Sequence, residues 1–314
     1  MHDLNYALAQ LCKRNRDGSF ATQANRKAIL NQIGNQLHDM GYRHLHAGNL
    51  KPKHIHALVE RWKSDGLSPG TMKNRMTEIR WVLEKTNRQS VAAPSNDAYG
   101  IPTRSYVTNT NRARTLSAGD LARVTDPSVR LSLRLQTEFG LRRAESLKIR
   151  PAWADRGDRL VLKDSWTKGS RPREIPIRTE AQRVVLDEAK AFAGRGSLIP
   201  RGQTYAQHLQ HFRYQCDAAG IHNVHGHRHL YAQIRYRELT GWAAPAAGGP
   251  TSNSLTSIQK AVDREARLII SRELGHAREP IVGIYIGRLS GNSMNAKPEC
   301  RAFGLKSAEN AGKL

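Results

Sequence analysis

Apolar residues recur with helical spacing through about the first 90 residues of the chain. The first stripe follows the i, i+3, i+4, i+7 spacing of one helix face and consists of Leu4, Ala7, Leu8 and Leu11. Thr22 is the predicted N-cap of a second helix, and Pro52 fits the first turn of a third. Ser68 can cap a fourth helix through its hydroxyl. The pattern therefore predicts a bundle of four short helices.

A polar segment with Pro94, Gly100 and Pro102 interrupts the helical spacing, which predicts a linker between two domains. The linker separates the helical bundle from a longer region that ends in a weakly patterned tail. The predicted boundaries are an amino-terminal domain at 1–92, a linker at 93–112, a second domain at 113–290 and a tail at 291–314.

The second domain combines helices with two short strands. Ser117 has a capping-box sequence, and one long helical stretch is predicted from there through Phe139. Apolar runs at 159–162 and 174–177 flank a polar turn and predict a β-hairpin. Helical spacing then returns, and the glycines and prolines of 241–250 predict a loop. The expected fold class is mainly α with a small β-sheet (α+β).

An excess of positive charge extends over both halves of the chain. The formal net charge is +23, with 16 basic and 8 acidic residues in 1–105 and 34 and 19 in 106–314. Such an excess favours a polyanionic partner, of which nucleic acid is the commonest, over an ordinary protein with a solvated basic surface. No apolar run approaches the ~18 residues of a membrane span, so we expect no membrane partner and a cytoplasmic protein.

Four short motifs carry the residues expected of phosphate chemistry. In chain order they lie at 139–146, 166–169, 225–229 and 274–276, and Tyr285 follows nine positions after His276. By its apolar surroundings alone, Tyr285 would be a core or strand residue. The four motifs and the tyrosine, in this order, resemble the signature of the tyrosine recombinases, the phage-integrase family, over residues 115–288.

The resemblance implies both a fold and a function. The fold is a four-helix, SAM-like core-binding domain followed by a tyrosine-recombinase catalytic domain. The function is that of a site-specific recombinase (integrase), which cuts and rejoins DNA through a 3′-phosphotyrosine intermediate. A bacterial enzyme that integrates and excises a mobile element such as a prophage, and that associates with the nucleoid, is expected.

Six residues are predicted to be catalytic under this resemblance: Arg142, Lys168, His225, Arg228, His276 and Tyr285. Two guanidinium groups can neutralise the non-bridging oxygens of a phosphodiester without a metal ion. A phenol forms a phosphoester of similar energy to the one broken, so religation needs no ATP. A phenol ordinarily has a pKa of about 10, so a nearby base or positive charge is expected.

The remaining three catalytic candidates are expected to handle protons and phosphate oxygens. His225 can accept the phenolic proton or hold the phosphate, and His276 can donate a hydrogen bond to a non-bridging oxygen. Lys168 is the predicted general acid, which protonates the departing 5′-hydroxyl.

Further residues are expected to contact DNA. They are Thr71, Lys73, Asn74, Arg75, Arg80, Arg143 and Arg171. The run from Leu67 to Thr71, with Asn74, also resembles the start of the last helix in the family's core-binding domain. For that helix judged by itself, a solvated charged face is the alternative.

No cofactor or metal ion is expected. Four histidines, His222, His225, His227 and His229, lie close together, but no carboxylate or cysteine lies among them. The three cysteines are also too widely spaced for a zinc motif or a disulfide framework. The expected partners are double-stranded DNA with a specific recombination site and three further copies of the chain, forming a homotetramer on DNA. A monomer is expected when free, and accessory DNA-bending proteins are candidate partners.

The chain departs from the family pattern between Arg228 and His276, where the intervening segment is longer than the resemblance leads us to expect. The extra length lies at about Gly241–Ser257. Three interpretations stay open: a loop folded over DNA, a contact to another protomer, or a neutral insertion.

Two other functions share part of this evidence. A type IB topoisomerase uses the same arginine, lysine, histidine and tyrosine chemistry, but the short helical amino-terminal domain favours a recombinase. A catalytically inactive DNA-binding protein would keep the fold and the charge, but all six candidate catalytic residues are present in this chain.

Overall fold

The computed structural model describes residues 2–104, 106–107, 109–276 and 278–289 of the chain. The chain divides into two compact units, residues 1–105 and 106–314. Each unit has its own buried apolar core. Within the described ranges, no helix is both long enough and apolar enough to cross a membrane.

The first unit is built from the four helices that the apolar stripes predicted. They are α1 (Asp3–Arg14), α2 (Phe20–Asp39), α3 (Pro52–Ser64) and α4 (Pro69–Lys85). Trp62 is fully buried in their core, and its indole N–H donates to Gln36 Oε1 at 2.9 Å. Ser68 caps α4, since its hydroxyl accepts the backbone N–H of Thr71.

The second helix begins earlier than predicted. Ser19, and not Thr22, is its N-cap, and Thr22 donates its backbone N–H to the Ser19 hydroxyl at 3.2 Å. Both residue types suit an N-cap. The apolar pattern does not distinguish them, because the first turn buries nothing: Phe20 is 90% exposed.

The second unit packs helices against a two-stranded antiparallel sheet. Its helices are α5 (Ala118–Arg123), α6 (Pro127–Phe139), α7 (Arg143–Lys148), α8 (Pro151–Ala154), α9 (Glu180–Ala193), α10 (Tyr205–Ala218), α11 (Gly226–Thr240), α12 (Ser257–Glu273) and α13 (Gly283–Ile286). The strands are β1 (Arg159–Leu162) and β2 (Arg173–Pro176), with Leu160 opposite Ile175. Both of these residues are buried in a core to which α6, α9, α11 and α12 contribute.

Two boundaries in this unit differ from the predictions. The single long helix expected to extend through Phe139 is broken between α5 and α6. Pro127 cannot donate a backbone N–H, and Asp126 caps a new helix by accepting the N–H of Val129 at 3.0 Å. The second strand begins and ends one residue earlier than predicted, at Arg173 and Pro176.

The segment Gly241–Ser257 folds back onto its own unit. Ala244 and Ala246 are buried, and Trp242 donates its indole N–H to Tyr236 Oη at 3.2 Å. The backbone N–H of Ser252 donates to the Leu289 carbonyl at 2.9 Å. The segment therefore contributes to the core of the second unit, a role that none of the three interpretations from the sequence had specified.

Candidate active site

A buried arginine, Arg228 on α11, lies at the centre of the candidate site, with 1% of its surface exposed. Its guanidinium donates to the carbonyl oxygens of Gly140 and Leu274, at the carboxyl ends of α6 and α12. The last carbonyls of a helix lack partners within the helix and carry partial negative charge, so they suit a cation. Burial lowers the pKa of Arg228 to about 10, which leaves the group charged at neutral pH.

Glycine is required at both of these helix ends. Gly140 has a φ of +60°, and a Cβ there would lie 2.5 Å from the ring of Tyr231. Gly275 has a φ of +67°, and a Cβ there would lie 2.8 Å from Cδ of Arg173. L side chains rarely adopt such φ values, so only glycine makes both turns without strain. These turns bring the two carbonyls to Arg228, which gives a physical reason for glycine in two of the four motifs.

Glu145 joins two further arginines to the site. Its buried carboxylate accepts hydrogen bonds from Arg142 Nη1 at 2.7 Å and from Arg173 Nη2 at 2.7 Å. Burial by itself raises the pKa of Glu145, but the hydrogen bond and charge of Arg173, with the charges of Arg142 and Arg228, outweigh it and lower that pKa to about 2. Three cations therefore surround one carboxylate, and the site keeps a net positive charge that suits a phosphate.

Tyr285, on the short helix α13, lies beside Arg228. The phenol oxygen is 3.4 Å from Arg228 Nε, and Arg228 Cζ is 5.5 Å from the centroid of the tyrosine ring. Three histidine rings surround the tyrosine. The centroids of His229, His276 and His225 lie 4.7, 5.3 and 5.8 Å from that of Tyr285.

All three histidines have a lowered pKa. Burial is the main cause at His276 and His229, where the pKa falls to about 3 and about 4. Partial desolvation, with the charges of Arg228 and Arg142, also lowers the pKa of His225, although the residue as a whole is exposed. The rings are therefore neutral at pH 7, and a neutral imidazole can accept a proton. His276 Nε2 lies 3.4 Å from Arg228 Nη2. His276 Nδ1 is buried, and no residue that the structure describes forms a hydrogen bond with it.

Arg143 faces away from this cluster, although it directly follows Arg142. Its guanidinium lies over the ring of Phe212, with Cζ 5.9 Å from the ring centroid. Phe212 and Cys216 belong to a second apolar cluster of the same unit. Arg142 is the N-cap of α7 and Arg143 its first residue, so the two side chains leave the start of the helix in different directions.

The structure brings five of the six predicted catalytic residues together and leaves Lys168 apart. Lys168 is exposed in the turn between β1 and β2, and in the described part of the chain its ammonium makes no contact with the other five. Gly169 and Ser170, which follow it, both have positive φ values, +74° and +50°. An open cavity of about 540 Å³ beside His276 is lined by residues of this hairpin and of α12, among them Arg171, Arg173 and Arg272.

Sequence reasoning did not identify Arg173, His229 and Gln233 as site residues. The helical spacing of the histidine motif could have indicated two of them, because His225, His229 and Gln233 are four positions apart on one face of α11. No local signal places Arg173 beside Glu145, because that contact depends on how β2 packs on α7.

The DNA contacts predicted in the first unit fall at exposed and buried positions. Arg75 is buried, and its guanidinium faces the ring of Trp62, with Cζ 5.3 Å from the centroid. Arg80 Nη1 donates to Asn96 Oδ1 at 2.8 Å. These two arginines therefore stabilise their own unit, and their contact with DNA stays a prediction. The other three residues, half-buried or exposed on α4, are Thr71, Lys73 and Asn74.

The four histidines of 222–229 do not converge on one point. His225 and His229 face Tyr285, whereas His227 Nδ1 lies 3.0 Å from the carbonyl oxygen of Arg114. His222 is exposed. Among the residues that the structure describes, no three histidine, cysteine, aspartate or glutamate side chains are grouped so that they could hold a metal ion.

Two family models match the sequence, one in each unit. Residues 1–92 match the model described as phage integrase, N-terminal, and residues 106–234 match the model described as integrase. The second match ends before His276 and Tyr285, so the structure supplies their relation to the rest of the site. No curated protein matches the sequence significantly.

Solved structures with a similar fold include three DNA complexes. One is a lambda integrase tetramer bound to a Holliday junction, with a TM-score of 0.54 and 16% identity over 93% of this chain and 79% of that one. Another is the XerH site-specific recombinase bound to a palindromic difH substrate, with a TM-score of 0.54 and 16% identity over 90% and 80%. The third is the Tn1549 transposon integrase with circular intermediate DNA, with a TM-score of 0.50 and 12% identity over 91% and 95%. These matches confirm the predicted fold.

Proposed function

Since the chain belongs to the tyrosine recombinases, enzymes that cut and rejoin DNA at specific sites, we propose that Tyr285 is its nucleophile. The observation that carries this proposal is the position of the phenol oxygen, 3.4 Å from Arg228 Nε. A permanent cation at this distance stabilises the negative charge that the oxygen acquires as it loses its proton.

In the proposed cleavage step, the phenol oxygen attacks the scissile phosphorus and the bond from phosphorus to the 5′-oxygen breaks. The products are a 3′-phosphotyrosine and a free 5′-hydroxyl. His225, neutral because its pKa is lowered, accepts the phenolic proton, and Lys168 protonates the leaving oxygen. Attack by the 5′-hydroxyl of another strand reverses the step, and no external energy is needed because one phosphoester replaces another.

Arg142 and Arg228 neutralise the non-bridging oxygens in this proposal. The side chain of Arg142 keeps 22% of its surface exposed while Nη1 is paired with Glu145, so it can contact a phosphate without losing that partner. His276 donates a hydrogen bond to one of the same oxygens through Nε2, and this bond replaces the contact of Nε2 with Arg228 Nη2 at 3.4 Å. Donors fixed in place before the reaction stabilise developing charge more than mobile water does.

The proposed substrate is double-stranded DNA that carries a specific recombination site, and the proposed assembly is four copies of the chain on paired DNA. The net charge of +23 supports a DNA partner. Support for the assembly comes from the lambda integrase tetramer, and support for the integration or excision of a mobile element comes from the transposon integrase. We propose that the protomers are linked through the tail at 291–314, which lies outside the described residues.

The test of this function is a suicide substrate, a nicked recombination site that traps the cleaved strand on the protein. Wild-type protein should form a covalent adduct, and Tyr285→Phe should form none while binding DNA with unchanged affinity, because only the hydroxyl is lost. Tyr214→Phe, at an exposed tyrosine of the same unit, is the control and should react like wild type.

An adduct with Tyr285→Phe would show that another residue attacks the phosphate. Wild-type protein that binds its site but forms no adduct would instead be an inactive DNA-binding protein. The topology of the products separates strand exchange from the relaxation of supercoils.

A further inference from the structure

The backbone that follows Tyr285 is held by a segment outside the four motifs, Asn109–Asn111. Asn109 Nδ2 donates to the carbonyl oxygen of Arg288 at 3.2 Å, and the N–H of Arg288 donates to Asn109 Oδ1 at 2.9 Å. One side-chain amide therefore pairs with both polar groups of a peptide backbone three positions after the nucleophile.

Asn111 reaches Tyr285 itself through Gln233 on α11. Gln233 Nε2 donates to Asn111 Oδ1 at 3.0 Å and to the carbonyl oxygen of Tyr285 at 3.2 Å. The side chain of Gln233 is largely buried, so water competes little for these bonds. Asn111 Oδ1 also accepts the N–H of Ala113 at 2.9 Å, which holds the Asn111 side chain in this orientation.

The turn at Gly287, between the bonded backbone groups of Tyr285 and Arg288, has little freedom to move. Gly287 has a φ of +81°, and a Cβ there would lie 2.8 Å from Asn109 Oδ1 and 2.7 Å from the backbone nitrogen of Ala246. Arg267 Nη1 donates to the carbonyl oxygen of Gly287 at 2.9 Å. Helix α13 spans only four residues, and so short a helix cannot hold its own orientation. The direction of the Tyr285 side chain therefore depends on contacts from other segments.

We propose that Asn109 and Asn111 are positioning residues, which fix the backbone from Tyr285 to Arg288 so that the phenol stays beside Arg228. This inference rests on the proposed role of Tyr285 as the nucleophile. Misplacing a reacting group by about 1 Å can slow a reaction about a hundredfold. Because neither asparagine has to touch DNA in this role, their loss should slow cleavage and leave DNA binding unchanged.

The test measures single-turnover cleavage of the suicide substrate at saturating DNA, together with the Kd for an uncleaved site and the midpoint of thermal unfolding. Asn111→Ala removes the acceptor for Gln233 and should slow cleavage roughly tenfold or more, with Kd unchanged. Asn111→Asp keeps that acceptor and should restore most of the rate. Asn109→Asp keeps one of two hydrogen bonds, because a carboxylate has no donor, and should stay slow.

Thr110 lies between the two asparagines and offers matched controls. Thr110→Ala controls for truncation in this segment and Thr110→Asp for added negative charge, and both should cleave at the wild-type rate. If Asn111→Ala lowers the unfolding midpoint, the cleavage rate of Asn111→Asp is compared with that of wild type instead. The aspartate keeps both hydrogen bonds that Oδ1 accepts, so its rate should stay close to that of wild type.

A wild-type rate for Asn111→Ala would overturn the inference, and so would equally slow cleavage by Asn111→Ala and Asn111→Asp. A weaker Kd with an unchanged rate at saturation would mean that the segment contacts DNA, which also overturns it. Wild-type protein that forms no adduct refutes the proposed function itself. If wild-type protein forms the adduct and the asparagine variants cleave at the wild-type rate, only the positioning role is refuted.

Discussion

At the scale of single residues, the neighbours Arg142 and Arg143 should differ strongly in their importance. Arg142 pairs with Glu145 inside the cluster, whereas Arg143 lies over Phe212 in a separate apolar cluster. We expect Arg142→Ala to lose about 3 kcal/mol of transition-state stabilisation, the scale of removing one fixed donor to an oxyanion. Arg143→Ala should lose much less.

The measurement for this pair is the single-turnover cleavage rate at saturating DNA, with DNA affinity as the control for binding. Equal losses in the two variants would show that Arg142 is not the phosphate ligand. The two adjacent side chains differ in their surroundings, and unequal losses would show that this difference matters for cleavage.

Acid should destabilise the folded protein through residues of the same site. The pKa values of His276 and His229 fall from 6.5 to about 3 and about 4, so between these values the unfolded state binds protons that the folded state does not. The contribution of the two neutral histidines to the free energy of unfolding is therefore fully present above about pH 6.5. It is lost as the pH falls from there towards their lowered pKa values. The pKa of Glu145 is lowered from 4.5 to about 2, so its ionised carboxylate also stabilises the folded state, and this stabilisation is lost as the pH falls between these two values.

Urea unfolding of wild type and His276→Gln at several pH values between 7.5 and about 4 checks this prediction. The free energy of unfolding of wild type should decline with acid, and the decline should be shallower in the variant. The same slope in both proteins would show that His276 is not responsible. Thr110→Ala, which changes no titratable group, should follow the wild-type curve.

At the scale of secondary-structure elements, the hairpin of β1 and β2 should deliver the general acid. Lys168 is exposed in its turn, and the two residues that follow it have positive φ values. If Lys168 protonates the leaving 5′-oxygen, Lys168→Ala should be inactive on ordinary DNA. It should regain activity on a substrate with a 5′-bridging phosphorothiolate, since a thiolate leaves without a proton.

Tyr285→Phe serves as the control for this rescue, because a better leaving group cannot replace a missing nucleophile. Failure of the rescue in a Lys168→Ala protein that binds DNA normally would assign Lys168 another role. Arg171 and Arg173, which line the cavity beside His276, would then be the next residues to test.

At the scale of the whole molecule, positive charge on both units should make DNA binding bipartite and sensitive to salt. Residues 1–105 carry 16 basic and 8 acidic residues, and residues 106–314 carry 34 and 19. Each phosphate neutralised releases counterions, so the affinity should fall steeply as the salt concentration rises. Either unit alone should bind far more weakly than the full chain, because the linker makes the second contact intramolecular.

Fluorescence anisotropy with labelled DNA, over a range of salt concentrations, measures both effects for the full chain and for each unit. A mixture of the two separate units is the control and should not recover the affinity of the full chain. If residues 106–314 alone bind DNA as tightly as the full chain and with the same salt dependence, the first unit does not contribute to the affinity for DNA.

The sequence by itself determined most of the helices, the hairpin and the four motifs. Helix spacing, N-caps such as Ser68 and strand alternation depend on residues within a few positions of one another, so they can be read locally. Where two residues a few positions apart suited one role, as with Ser19 and Thr22 at the start of α2, local chemistry did not distinguish them. The order of the motifs was also visible, because it is a property of the chain and not of its folding.

Only the tertiary structure decided how these motifs meet. It put Tyr285 on a helix and in the core, whereas the apolar run around it suited a strand as well as a core, and it separated Arg142 from Arg143. The pairing of Arg173 with Glu145 joins residues 28 positions apart, and that of Asn109 with Arg288 joins residues 179 apart. Contacts over such distances depend on how the elements pack, and no pattern within one element specifies them.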